Sequence, residues 1–241
     1  MLYLLLAAYN EEKNLPFIFE DIKKENWPFD YRIVLINDGS SDETHGIAAG
    51  YCALLPVTII DHERNMGLGK ALRTGFAYLN GVVKDGDFVA ALDADNSHPI
   101  ETINAMLTKM GSGYDIVIGS RYAAGGGQKG LSFHRKILSL GASSFLKLLW
   151  PIKNVRDYSC GFRMYRGSLL KALFTRFGDK LIEEKGFSAS VEILLKASLV
   201  TDKITEVPMI LRYDKKFGKS KMRVFKTIFG YLALLTKLYR A

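Results

Sequence analysis

Five short apolar runs, Leu2–Ala8, Arg32–Asn37, Val57–Asp61, Phe88–Asp93 and Asp115–Gly119, recur through the first half of the chain, with more polar, helix-length stretches between them. Strands this short and this continuously apolar are buried on both faces, the condition met by a parallel sheet covered by helices above and below. The stretches 12–25, 42–50, 68–80 and 99–110 supply those helices. Ser40, Ser41 and Asp42 precede one of them and Pro99 opens another, both suitable helix starts. After residue 120 the rhythm changes: a glycine run at 125–127 is followed by helix-like segments at 134–150, 188–199 and 222–239. A chain of 241 residues with no internal repeat and no linker makes one α/β domain with a mostly parallel sheet.

Ligands of such sheets gather where strands end, because loops and helix N-termini there offer unpaired donors. Polar clusters follow three of the apolar runs: Asn10-Glu11-Glu12, Asn37-Asp38-Gly39-Ser40 and Asp93-Ala94-Asp95. Each alone reads as a capped turn; three in register point to one crevice. Asp93 and Asp95, one residue apart at a strand end, can both turn toward a divalent cation, and hard oxygen ligands suit Mg²⁺ or Mn²⁺ bridging substrate phosphates. Asp38 can accept the N–H of guanine or of uracil, or it caps its own turn. The segment Asn65-Met66-Gly67-Leu68-Gly69-Lys70 lacks the glycine spacing of a Walker loop. It brings a helix N-terminus and Lys70 toward phosphates, or it is a tight turn with a solvated lysine.

The net charge of +8 is unevenly placed. Segments 121–166 and 212–241 each carry nine Lys or Arg against one acid, so the remaining residues together net −8. Excess cation in two late segments calls for an anionic partner. Because these stretches alternate with apolar helix, not with stacking aromatics on strands, a phosphate-bearing substrate or an anionic membrane surface fits better than nucleic acid. The two cysteines, Cys52 and Cys160, have no metal-ligand spacing and agree with a reducing, cytoplasmic setting. No apolar run approaches the roughly 20 residues of a membrane span, so the chain is expected to lie peripherally on a membrane and not to cross it. In the last segment Phe225, Ile228, Phe229, Leu232, Leu235 and Tyr239 recur at helical spacing between Lys226 and Lys237. That pattern reads either as an interfacial stripe or as core.

Taken together, the motifs resemble the dolichol-phosphate mannosyltransferase branch of the inverting family 2 glycosyltransferases, nucleotide-diphosphosugar enzymes of GT-A type. The resemblance starts with Ala8-Tyr9-Asn10-Glu11-Glu12 and Asn37–Asp42, and continues through Asn65–Ala71, Asp93–Pro99 and Gly119-Ser120-Arg121-Tyr122. It ends with Asp157–Tyr165, Lys185-Gly186-Phe187, Glu206-Val207-Pro208 and Gly218–Met222. It implies a catalytic domain over 1–223 and an amphipathic helix over 224–241. Ala7, Tyr9, Glu11, Asp38, Lys70, Asp93, Ala94 and Asp95 would hold the nucleotide sugar, and Asp93, Asp95 and Ser97 a Mg²⁺ or Mn²⁺ ion. Asp95, Arg121 and Arg135 would act in catalysis, with Arg121, Arg135, Lys185, Lys215 and Lys221 around the phosphates. Three departures stand out: Ala7 where relatives carry Pro, Ser97 where many carry Gln, and one extra residue in Arg212–Lys216, which leaves Lys215 and Lys216 both open as the basic ligand.

The implied reaction moves a sugar, mannose from GDP-mannose, onto a polyprenyl or dolichyl phosphate at the cytoplasmic face of a membrane, with room for a membrane-anchoring subunit. A phosphate monoester is already ionised near pH 7 and is its own nucleophile, so the site needs cations and positioning instead of a general base. Two rivals stay open: a UDP-sugar donor such as UDP-glucose with a polyprenyl-phosphate or glycan acceptor, and a non-catalytic sugar-nucleotide or membrane-binding module.

Overall fold

The computed structural model describes residues 1–218, 230–231 and 234–236. The five apolar runs are strands: β1 (Leu2–Ala8), β2 (Tyr31–Asn37), β3 (Val57–Asp61), β4 (Phe88–Asp93) and β5 (Ile116–Ser120). The helices between them are α1 (Leu15–Lys24), α2 (Thr44–Tyr51), α3 (Leu68–Asn80) and α4 (Thr102–Gly111). A three-residue β6 (Gly127–Lys129) precedes α5 (Phe133–Leu149). Next come β7 (Arg163–Arg166), α6 (Gly167–Phe177), α7 (Ser188–Ser198), β8 (Ile204–Pro208) and β9 (Ile210–Arg212).

Seven strands form one sheet in the order β3-β2-β1-β4-β7-β5-β8, and β6 pairs with β9 apart from it. β1 runs parallel to both β2 and β4, β2 to β3, and β5 to β8; β7 alone is antiparallel, wedged between β4 and β5. This is the mostly parallel sheet that the apolar runs require. It fits the expectation because β1, β4 and β5 are buried almost throughout, as strands with helices on both faces must be. α3 packs on β1 and β2 and against α6 and α7, while α4 packs on β5, β7 and β8.

Register explains why three polar clusters share one edge. Ala7 pairs with Ile36 on one side and Asp93 on the other, and Ala8 pairs with Asn37. The ends of β1, β2 and β4 therefore lie level, and the loops carrying Tyr9–Glu11, Asp38 and Asp93–Asp95 leave the sheet side by side. β6 to β9 and α6 are absent from the sequence expectation: β6, β7 and β9 are only three, four and three residues long, and Arg163 interrupts the apolar signal of β7. Lys221 and most of the expected helix 222–239, including Phe225, Ile228, Phe229, Leu232 and Tyr239, lie outside the described residues. The part of it that is described is helical, and Tyr231, Leu234 and Leu235 are buried there. Among the described residues no helix is long and apolar enough to cross a membrane.

Candidate functional site

A cavity of about 890 Å³ opens at the level strand ends. Ala7 and Ala8 at the end of β1 with Tyr9 after it, Asp38 just past β2, and Asp93 at the end of β4 with Ala94 and Asp95 beyond it form its floor, with Glu11 beside them. Met66–Leu68 and the loop 183–187, which includes Lys185, form the opposite wall. A second cavity of about 110 Å³ adjoins it and shares Asp93, Phe187 and Tyr213 with it. Its own wall includes His98, Arg121, Arg135, Ser139 and Ser159.

Asp38 is buried, and its carboxylate ties the wall to the floor. Oδ1 accepts from the Met66 amide at 3.0 Å and lies 2.6 Å from His62 Nδ1; Oδ2 accepts from the Gly67 amide at 2.8 Å. A carboxylate offers about four acceptor positions, so one is left for a ligand N–H. Gly39 makes the tight approach possible: its φ is +66°, and a Cβ there would sit 2.2 Å from the Arg64 carbonyl carbon. Gly69, in the first turn of α3, donates its amide to the Lys185 carbonyl, and a Cβ there would meet the Glu184 carbonyl oxygen at 1.8 Å. The loop 183–187 is held from behind as well. Glu192, fully buried, accepts from the amides of Glu183 and Glu184 at 2.8 and 2.9 Å and pairs with Lys196 at 2.6 Å.

The two aspartates differ. Asp95 accepts from Ser97 Oγ and Lys216 Nζ, each at 2.5 Å, and from the Ser97 amide at 3.1 Å. Burial alone would raise its pKa, but the Lys216 ammonium outweighs burial and holds Asp95 below the ordinary carboxylate range. The Asp93 carboxylate accepts no hydrogen bond from a described residue; burial pushes its pKa up, and the charge of Asp95 adds to the rise. The lysine on Asp95 is Lys216, not Lys215, which is exposed and lines neither cavity. The turn after β9 decides this, because it seats Phe217 between the Asn14 side chain, which bonds both its amide and its carbonyl, and the ring of Phe17, stacked at 5.6 Å. Ser97, the position proposed beside the metal, lines the smaller cavity, and its hydroxyl and amide both donate to Asp95. Lys70 lines neither cavity and is half-buried.

Two arginines share the smaller cavity but not one environment. Arg121 is clamped by the fully buried Asp157: Nε donates to Oδ2 at 2.7 Å and Nη2 to Oδ1 at 2.6 Å, while its own amide reaches Oδ2 at 3.0 Å. Nη2 also donates to Ser159 Oγ at 2.8 Å. Burial would lower its pKa, but Asp157 overrides this and holds Arg121 above even its usual value. One edge of the guanidinium is thus occupied, and Nη1 makes no hydrogen bond to a described residue. Arg135, on the first turns of α5, makes no hydrogen bond or ion pair with a described residue. The basic segment also overstates its free charge: Arg163 is fully buried and donates to the carbonyls of Ser190 and Tyr158, and Arg166 donates to those of Met110 and Tyr114. Asp157 and His98 had no role from the sequence, and Lys216 was open with Lys215 as the basic ligand. The partners of Asp157, Lys216 and His98 stand 36, 121 and 5 residues away, and only the first two separations are beyond local pattern.

Among the described residues no three His, Cys, Asp or Glu side chains converge as a metal cluster. The donor set still suits a hard divalent cation, which takes one or two carboxylates and fills its other positions with water and phosphate oxygens. The open Asp93 carboxylate, beside an Asp95 already neutralised by a cationic side chain, has that character.

Comparison with known proteins agrees with this architecture. The chain is 31% identical over 237 residues to a dolichol-phosphate mannosyltransferase of Pyrococcus furiosus, covering 98% of this chain and 63% of that protein. It is 28% identical over 220 residues to the polyprenol monophosphomannose synthase of Mycolicibacterium smegmatis, covering 90% and 79%. Among solved structures, Mycobacterium tuberculosis glucosyl-3-phosphoglycerate synthase, in complex with Mn²⁺, UDP and glucosyl-3-phosphoglycerate, superposes with a TM-score of 0.68 at 19% identity, over 98% of this chain and 79% of that one. Residues 1–349 of S. aureus TarS superpose with a TM-score of 0.64 at 18% identity, over 98% and 64%. These two likenesses establish a shared fold. Residues 3–174 match the glycosyl transferase family 2 profile, and the chain belongs to that family.

Proposed function

We propose that this chain is an inverting hexosyltransferase that moves mannose from GDP-mannose onto a polyprenyl or dolichyl phosphate. The observation that carries the reading is the pair of joined cavities. A large one floored by Asp93 and Asp95 suits a nucleotide sugar, and a small one walled by Arg121 and Arg135 suits a phosphate group. The names of the two curated relatives supply the sugar and the lipid. The shared wall at Asp93, Phe187 and Tyr213 is where the two substrates would meet.

In this reading the base contacts the last acceptor position of Asp38, Tyr9 and Glu11 flank the nucleoside, and Lys185 faces the diphosphate. Asp93 and Asp95 would hold Mg²⁺ or Mn²⁺, which when bound neutralises charge gathering on the departing nucleoside diphosphate. The Lys216 ammonium beside Asp95 would add a second cation for the same phosphates. Arg121, fixed by Asp157, and Arg135 relieve the repulsion between two anions and aim the acceptor phosphate at the anomeric carbon. The phosphate oxygen attacks without a general base, and a single displacement inverts the configuration.

The lipid acceptor also places the enzyme against a bilayer. α5 supports this: Phe133, Ile137, Leu140 and Leu148 are exposed on one face, Phe133 by 73% and Leu148 by 79%, with His134, Lys136 and Lys147 close by. An apolar stripe flanked by cations is what an interfacial helix needs, and α5 carries it on described residues where the C-terminal helix does not.

The test is a screen of GDP- and UDP-sugars with a polyprenyl phosphate and Mg²⁺ or Mn²⁺, following labelled sugar into the organic phase. Transfer from GDP-mannose, abolished by chelator and cut at least a hundredfold by Asp95→Asn, is the expected result. Transfer from UDP-sugars alone, or full activity in Asp95→Asn, refutes the assignment.

A further inference from the structure

The smaller cavity has a third polar wall besides its arginines, the imidazole of His98. The backbone amide of Asp93 donates to His98 Nδ1 at 3.2 Å. An amide N–H can only donate, so Nδ1 must present its lone pair, and a neutral ring then carries its proton on Nε2. The ring plane is fixed as well: His98 stacks on Phe162 with centroids 4.9 Å apart and an interplanar angle of 16°. The side chain is buried, 7% exposed, yet it lines the smaller cavity, and Nε2 has no hydrogen bond to a described residue.

We propose that His98 binds the phosphate of the acceptor through Nε2–H, as a neutral donor alongside Arg121 and Arg135. This rests on the acceptor reading of the smaller cavity given above. A third cation would add charge; a neutral, rigidly held N–H adds a further direction beside the two arginines. No proton is transferred; the imidazole is a binding group.

The experiment is a long-range ¹H–¹⁵N histidine spectrum of the intact chain, with His98 assigned by comparison with His98→Asn. The expected result is an unprotonated Nδ1 and a protonated Nε2, with Nε2 and its proton shifting on addition of citronellyl phosphate and unmoved by GDP with Mg²⁺. Asparagine reproduces the Nδ1 acceptor but does not reach the cavity, so His98→Asn keeps the Asp93 contact and the melting temperature while weakening citronellyl phosphate binding about tenfold. His98→Gln, which extends an amide N–H to the Nε2 position, recovers part of that loss. A proton on Nδ1, a shift with GDP in place of the isoprenyl phosphate, or unchanged binding in His98→Asn overturns the inference. If Arg135→Ala weakens binding and His98→Asn does not, His98 fails while the acceptor reading stands; if wild type does not bind the phosphate at all, both fall.

Discussion

Asp157 is the residue on which the smaller cavity depends most, and Asp157→Asn isolates its charge. The side chain is fully buried and makes four hydrogen bonds, three to Arg121 and one to the Cys160 amide. Asparagine keeps the volume and one acceptor, but it turns an N–H₂ toward Arg121 and leaves a guanidinium only 9% exposed without a counter-charge. Breaking one side of a buried ion pair costs about 3–5 kcal/mol. The surviving Ser159 bond and the accepting side of the amide put Asp157→Asn at the low end, about 3 kcal/mol. For a domain of this size that lowers the melting temperature by about 6–12 °C. The assay is thermal unfolding of wild type, Asp157→Asn, Arg121→Met and the double variant. With both partners removed no charge is stranded, so the double variant should be more stable than the sum of the singles by about 2 kcal/mol. Freed from its clamp, Arg121 should also raise the KM for the lipid phosphate more than it changes kcat. Additive effects, or Asp157→Asn melting within a degree of wild type, would refute the claim that the pair is coupled and buried.

Three further outcomes follow from the packing. Gly69→Ala must push a Cβ into the Glu184 carbonyl, so the loop 183–187 shifts; an overpacking cost of about 1–3 kcal/mol and roughly tenfold weaker GDP binding by calorimetry are expected, and wild-type affinity would contradict the contact. Native protein should show one fast-reacting thiol: Cys52 is exposed, whereas burial, with Asp157 adding, pushes the Cys160 thiol up to about 12, so two equally fast thiols at pH 8 would disprove its enclosure. Phe133→Ser/Leu148→Ser on the exposed face of α5 should release the protein from anionic liposomes in co-sedimentation, with high salt weakening wild-type binding only in part; wild type remaining in the supernatant at low salt would remove α5 as a docking face.

The strands, the class of the sheet and the acidic strand ends were legible in sequence because each is a local pattern. A parallel strand is apolar on both faces, and that condition writes itself into five or six consecutive residues; Leu2–Ala8, Val57–Asp61 and Phe88–Asp93 fall where the runs fall. The resemblance to a family was legible too, since it rests on the order of short motifs along the chain. What the side chains at those motifs do was settled only by contacts between distant segments. Arg121 reads as a free phosphate fork until Asp157, 36 residues on, occupies one of its edges. Lys215 and Lys216 are indistinguishable in sequence, and the seating of Phe217 against Asn14 and Phe17 turns Lys216 onto Asp95 across 121 residues. Arg163 counts as surface charge in the composition, yet it is sealed in the core by backbone carbonyls. Charge and hydrogen-bonding type are properties of a residue; whether they face a ligand depends on which neighbour consumes them first, and tertiary packing makes that choice.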